Sequence, residues 1–173
     1  IDTAIERVQR FHQHQLDRLT EGWTRREAGG WEWREPVRPD EPSTGTEGQR
    51  LMPLQRVGVY VPGGKADYPS SVIMNAVPAL VAGVQEVFMC TPADDEGQVS
   101  AAVLVAARKL GIRSIAKVGG AAAIGLMAFG HGGWLPDKIP GTRTPLASLP
   151  VDKIVGPGNR YVTEAKRQVW GVV

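Results

Sequence analysis

Only one cysteine, Cys90, stands among the 173 residues, so no disulfide can close within the chain. A reducing compartment is the simplest reading of that scarcity. No apolar run approaches the roughly 20 residues that a membrane-spanning helix needs. Ile1 leads straight into a charged stretch rather than a signal-like segment. An excess of one charge is also missing: 20 basic residues against 18 acidic ones leave a net +2. A nucleic-acid-binding domain carries a clear basic excess, so that class is disfavoured. Two phosphate-binding signatures are lacking as well, the ordered G-x-G-x-x-G and the loop that ends in Gly-Lys-Ser/Thr. Nor do His, Cys and Asp fall at metal-ligand spacing: His12 and His14 sit two apart on a helical stretch, and His131 stands in a long loop. The chain opens on Ile and closes on Trp170-Gly171-Val172-Val173, and both ends read as cut from a longer protein.

What is present is an ordinary globular composition, 42% hydrophobic, enough for a buried core. Residues 1–22 predict an amphipathic helix, with Ile1, Ala4, Ile5, Val8, Phe11, Leu16 and Leu19 near a 3.6 period and Glu6, Arg7, Arg10, Gln13 and Arg18 opposite. Residues 23–50 read as an arm or connector. Trp31-Glu32-Trp33 alternates like a short strand, and residues 39–48 are rich in turn formers and read as a loop.

From Arg56 the pattern becomes regular. Strands are expected at 56–61, 86–90, 114–118 and 152–155, each followed by a helix, at 69–83, 97–110, 121–129 and 159–170. Pro78 should kink or break the first of these helices, Gly111 suits a C-cap, and Asn159 suits an N-cap. Residues 131–150 form a Gly/Pro-rich loop. Four strand-then-helix units in a row predict an α/β fold with a parallel sheet and right-handed crossovers. The expected division is residues 1–50 for the helix and arm, and 51–173 for the sheet domain.

Open α/β sheets bind ligands beyond the carboxyl ends of their strands. Three of the four strand ends here run into glycine: Val61-Pro62-Gly63-Gly64, Val118-Gly119-Gly120 and Val155-Gly156-Pro157-Gly158-Asn159. Glycine lets a ligand approach the backbone, and each loop leads to a helix N-terminus, which favours anionic groups such as a pyrophosphate. Tight turns need glycine in any case, so composition alone leaves both readings open. Ser70 and Ser71, after Pro69, read as caps rather than nucleophiles, because no nearby His offers a base. Cys90 reads as core, and Lys65 reads as an exposed loop lysine.

Several strings carry more than composition: RVGVYVPGG (56–64), YPSSVIMNAVPALVAGVQEV (68–87), CTP (90–92), KVGGAAAIGLMAFG (117–130) and VDKIVGPGNRYVTEAKR (151–167). In their order and near-spacing they resemble the histidinol dehydrogenase family, across about residues 50–171. The resemblance implies an incomplete Rossmann-like nucleotide domain preceded by the helix and the Trp-containing arm. It also implies a homodimeric, cytoplasmic enzyme that oxidises an amino alcohol, L-histidinol, to L-histidine in two NAD-dependent steps, with zinc in the complete protein. Tyr60 of the YVPGG string, with Gly63 and Gly64, and Asn159 of GPGN are the cofactor-binding residues it assigns. Ala122 stands where the family usually has a glutamine that touches NAD, and 131–150 is longer than the family's usual link. The zinc ligands and catalytic residues of the family lie beyond Val173, so none falls in this chain. Two other readings remain open: a relative acting on a different small alcohol, and a non-catalytic binding or assembly module.

Overall fold

The computed structural model describes residues 1–26, 30–36, 46–63, 67–130 and 150–173. Helix α1 (Asp2–Leu19) leads into three short strands, β1 (Thr24–Arg25), β2 (Trp31–Pro36) and β3 (Thr46–Leu51). Four strand–helix units follow. They are β4 (Arg56–Tyr60) with α2 (Pro69–Val81), β5 (Glu86–Cys90) with α3 (Ala101–Lys109), β6 (Ser114–Ala116) with α4 (Gly120–Phe129), and β7 (Lys153–Val155) with α5 (Arg160–Gln168).

The last four strands form one parallel sheet in the order β6-β5-β4-β7. Numbered from β4 this is 3-2-1-4, the beginning of the Rossmann order. The chain steps outward from β4 to β6 and then returns across the sheet to place β7 on the other side of β4. The strands explain why the sheet is covered on both faces. Along β4, Val57, Val59 and Val61 point to one side and Tyr60 to the other, all of them buried. Along β5, Val87 and Met89 oppose Phe88 and Cys90 in the same way. A parallel sheet with two buried faces reads as near-continuous apolar strands. Helices α2 and α3 cover the first face through Val72, Ile73, Ala76, Val77, Val103, Ala106 and Ala107. Helices α4 and α5 cover the second through Ala123, Ile124, Met127, Ala128 and Val162. The side changes where the chain reverses direction, in keeping with crossovers of one hand.

The base of the sheet is tied by polar groups. Asp152 Oδ2 accepts from the backbone N–H groups of Gln55 (2.9 Å) and Arg56 (2.8 Å). Arg56 Nε donates to Glu86 Oε2 at 2.8 Å, so the central strand is pinned to both neighbours at its start.

Several local expectations hold. Asn159 caps α5, its Oδ1 accepting from Tyr161 N (3.0 Å) and Val162 N (3.1 Å). Gly111, at φ +73°, ends α3 in a Schellman turn, with Ile112 N bonded to Ala107 O at 2.9 Å. Others need correction. Of the kink or break expected at Pro78, the break does not occur, since helix α2 continues through it to Val81. Its N-cap is Tyr68, with no side-chain cap bond, so neither Ser70 nor Ser71 caps it. The second helix starts at Ala101 rather than Gly97, because Asp94 organises residues 94–98 into a turn through bonds to Glu96 N and Gln98 N.

Residues 46–48, expected in the arm's loop, belong to β3. It pairs antiparallel with β2 from Pro36↔Thr46 to Trp31↔Leu51, while β1 pairs with the other edge of β2. Turn-forming composition misled there because cross-strand partners lie outside the local window. The expected loop at 39–45 and the 131–149 part of the long loop, with His131, lie outside the described residues, as does Lys65. Trp23, Trp31 and Trp33 are half-buried. The stripe of α1 is partly covered within the chain, since Ile5 and Val8 pack against the α2/α3 face, whereas Phe11 and Leu19 stay exposed.

Cys90 is 0% exposed at the end of β5, and burial pushes its thiol from 9.0 up to about 12. The folded thiol holds its proton after the unfolded one has lost it, so its contribution to stability is present below pH 9 and is lost between pH 9 and 12. The thiol should resist alkylation at neutral pH until the chain is unfolded. Rapid labelling of the folded protein at pH 7.5, followed by mass spectrometry, would contradict this packing.

Candidate functional site

The reversal of direction places the topological switch between β4 and β7, where crevices for ligands form in open parallel sheets. β4 and β7 pair in register from Val57↔Lys153 to Val59↔Val155, so their carboxyl ends emerge side by side. Tyr60 closes β4 and the Gly156-Pro157-Gly158 turn follows β7. The two are in intimate contact. Gly156 has φ +116°, and a Cβ there would lie 2.0 Å from the Tyr60 carbonyl oxygen. Both facts restrict the position to glycine. Lys166 reaches back from α5 and donates to Gly156 O at 2.6 Å, holding the turn from its other side. Burial holds the Lys166 ammonium below its usual range.

The Tyr60 side chain is 4% exposed and packs in the core under α4 and α5. Its hydroxyl accepts the Gly120 N–H at 3.2 Å, in the first turn of α4. Tyr60 thus touches the loops after β6 and β7 at once, through its hydroxyl and its carbonyl. The hydroxyl can also donate its hydrogen. Asn159 stands exposed at the start of α5. Its oxygen is committed to capping, which leaves the amide N–H groups to face outward. The structure therefore gathers Tyr60, Gly120, Gly156 and Asn159 at one corner of the rim. Ala122 lies exposed in the same first turn of α4.

Gly63 sits apart from that corner. It packs on Pro92, where an added Cβ would meet the ring at 2.7 Å, and a Cβ on Gly119 would meet the same proline at 2.7 Å. Pro92 is wedged between the two glycine turns, which draws the ends of β4, β5 and β6 together. Gly64 lies outside the described residues. Next to Gly63 a cavity of about 110 Å³ opens between the ends of β4 and β5, lined among others by Asp67, Tyr68, Thr91, Asp94 and Ser100. Sequence reasoning passed over this end of the rim because β5 runs into Thr91-Pro92 rather than glycine. The available signal was the D-D-E-G run from Asp94 before a helix, a polar turn at a strand end.

His12 is half-buried on α1, its ring hydrogen-bonded to Gln15 at 2.7 Å. Among the described residues no group of three or more His, Cys, Asp or Glu is placed to hold a metal ion. The corner at Tyr60 can do two things chemically: offer backbone and amide donors at the N-termini of α4 and α5 to an anionic group, and present a hydroxyl at a fixed position.

Comparison with known proteins bears on what that corner serves. A family model described as histidinol dehydrogenase matches residues 1–173. The chain is 44% identical over 170 residues to a histidinol dehydrogenase of Heliobacterium mobile, covering 98% of this chain and 32% of that protein. Against a histidinol dehydrogenase of Gluconobacter oxydans (strain 621H) it is 54% identical over 126 residues, covering 73% of this chain and 26% of that one. The crystal structure of histidinol dehydrogenase from Elizabethkingia anophelis superposes with a TM-score of 0.69 at 30% identity, covering 99% of this chain and 33% of that one. The matched part of the chain thus spans between about a quarter and a third of the length of these relatives.

Substituting Gly156 by Ala should lower stability by roughly 2–3 kcal/mol or more, because both the backbone angle and the Tyr60 carbonyl oppose a Cβ. Urea denaturation of Gly156→Ala beside the parent checks this. An unchanged midpoint would mean that the turn is not held against β4 as described.

Proposed function

The chain belongs to the histidinol dehydrogenase family, and from that membership we propose that it supplies the nucleotide side of a complete protein that oxidises L-histidinol to L-histidine with NAD, in histidine biosynthesis. The observation that carries this reading is the meeting of the two family strings, YVPGG and GPGN, at the sheet's switch point, where Gly156 lies on the Tyr60 carbonyl. That corner fits a dinucleotide: it is lined by glycine turns and N-terminal helix turns with free donors, and its position is where such cofactors sit in Rossmann-like sheets. NAD would supply the hydride acceptor. Tyr60 and Asn159, with Gly63 and Gly64, would bind and orient it, Tyr60 through its hydroxyl and Asn159 through its amide.

Residues 51–173 form the proposed nucleotide-side domain, and residues 1–50 the proposed helix and arm. Zinc belongs to the proposed complete protein, and no described group of residues here supports a step through it. Homodimerisation is proposed too, supported by Phe11 (61% exposed) and Leu19 (60%) on α1. A cytoplasmic location is in keeping with a biosynthetic family. Among the described residues no helix is long and apolar enough to cross a membrane.

Calorimetric titration of NAD tests the cofactor assignment. Saturable heat is expected, with affinity falling about tenfold or more in Tyr60→Ala/Asn159→Ala, the equivalent of losing two hydrogen bonds. Asn159→Asp keeps the capping oxygen and loses the amide donors, so it should weaken NAD while leaving the denaturation midpoint in place. If the complete protein, supplied with zinc and NAD, forms no NADH from L-histidinol, the proposed activity is wrong.

A further inference from the structure

Packing does not explain why residue 166 is a lysine. It follows Val162 by one turn on α5, beside Ala165 and Val169, which face the core. Helical side chains lean toward the N-terminus, so its stem runs back along α5. Its ammonium reaches the Gly156 carbonyl, ten positions upstream, at 2.6 Å. The residue is half-buried, and burial holds the ammonium below the usual lysine range, with no carboxylate among the described residues to offset it. For packing alone an apolar side chain of similar length is better, because it covers the same surface without desolvating a charge. What the ammonium adds is a fixed direction for one carbonyl. A glycine peptide has little else to fix it. On its other side Gly156 lies on Tyr60, whose carbonyl oxygen is 2.0 Å from where a Cβ would stand. Gly158 packs so closely on Val162 that a Cβ there would meet it at 2.3 Å. Asn159 follows directly, its Oδ1 bound to Tyr161 N and Val162 N. Gly156, Asn159 and Lys166 thus lie on one closed ring of chain, with Tyr60 against it.

We propose that Lys166 is a positioning residue of the switch-point corner: by holding the Gly156 carbonyl it fixes the Asn159 amide against Tyr60, without itself touching the bound molecule. Asn159 is anchored to α5 by its cap, and Tyr60 is anchored to β4 by the sheet. The spacing of the two therefore depends on how α5 is joined to the end of β7. That joint is Gly156-Pro157-Gly158, in which the proline ring fixes one dihedral and the glycines leave theirs free. Lys166 supplies the missing constraint from the far side of the ring. Without it the joint has to be ordered at the moment of binding, and affinity falls by the cost of that ordering. The inference rests on the NAD reading and adds a residue that acts through the two groups assigned to the cofactor.

The test is calorimetric titration of NAD into the complete protein and into Lys166→Met, Lys166→Arg, Asn159→Ser and the double variant Lys166→Met/Asn159→Ser, with a denaturation midpoint for each. Methionine keeps the packing of the stem and removes a half-buried charge, and serine keeps a capping oxygen, so these variants should fold. Lys166→Gln, one atom shorter than lysine, takes the place of Lys166→Met if the methionine midpoint collapses. Lys166→Met should weaken NAD about fivefold or more, and Lys166→Arg, which keeps a donor, should fall between it and the wild type. Once Asn159 has lost its amide, the lysine has little left to position, so adding Lys166→Met to Asn159→Ser should cost less than about twofold. If Lys166→Met binds NAD as the wild type does, Lys166 serves packing only, and the proposal falls while the cofactor reading stands. If the two losses multiply in full, Lys166 meets the cofactor by itself and positioning is the wrong role. An arginine variant no tighter than the methionine one would show that the donated bond is not what counts. If the wild type binds no NAD, the proposal and the cofactor reading fall together.

Discussion

Everything in the sheet domain depends on β4 being buried on both faces. A parallel strand with Val57, Val59 and Val61 on one side and Tyr60 on the other must have helices above and below it. With one crossover hand, helices reach the second face only if the chain turns back across the sheet. The return puts β7 beside β4 and opens the crevice at their carboxyl ends. Burial of one five-residue strand therefore leads, through chirality, to the place where a cofactor can lie.

The rim is built more from backbone than from side chains. Gly156 lies on the Tyr60 carbonyl, Gly120 N–H meets the Tyr60 hydroxyl, and Pro92 is wedged between Gly63 and Gly119. Glycines scattered over three loops, rather than one contiguous fingerprint, let these strand ends pack closely. The side chains that differ from one end of the rim to the other set the chemistry. Asn159 offers donors beside β7, whereas Asp67 and Asp94 offer acceptors beside β5.

The N-terminal region has a structural part to play. Ile5 and Val8 of α1 extend the apolar cover over α2, and Lys109 Nζ meets Asp2 at 2.8 Å. That ion pair is exposed and adds little, so apolar contact carries the docking. In the antiparallel sheet Glu32 gathers Arg26, Arg34 and Arg50, and the Arg25 guanidinium lies 5.8 Å from the Trp31 ring centroid. These contacts hold together a segment with few fully buried residues.

Read alone, the residues determined which segments are strands and helices, which faces are apolar, and which short-range devices end them. The apolar pattern placed β4, β5 and α4 to within a residue or two, Asn159 announced its cap and Gly111 its turn, and family strings marked Tyr60 and Asn159. These features depend on neighbours a few positions apart, and a periodic pattern records them. Tertiary structure decided the rest. It set the order β6-β5-β4-β7, paired residues 46–51 with β2, carried the Tyr60 hydroxyl to Gly120 sixty positions away, and closed a cavity around Asp94 and Ser100. A local pattern states that a face must be covered, but not by what. The covering partner is chosen by crossover handedness and by packing between distant segments, and those become definite only when the whole chain is folded.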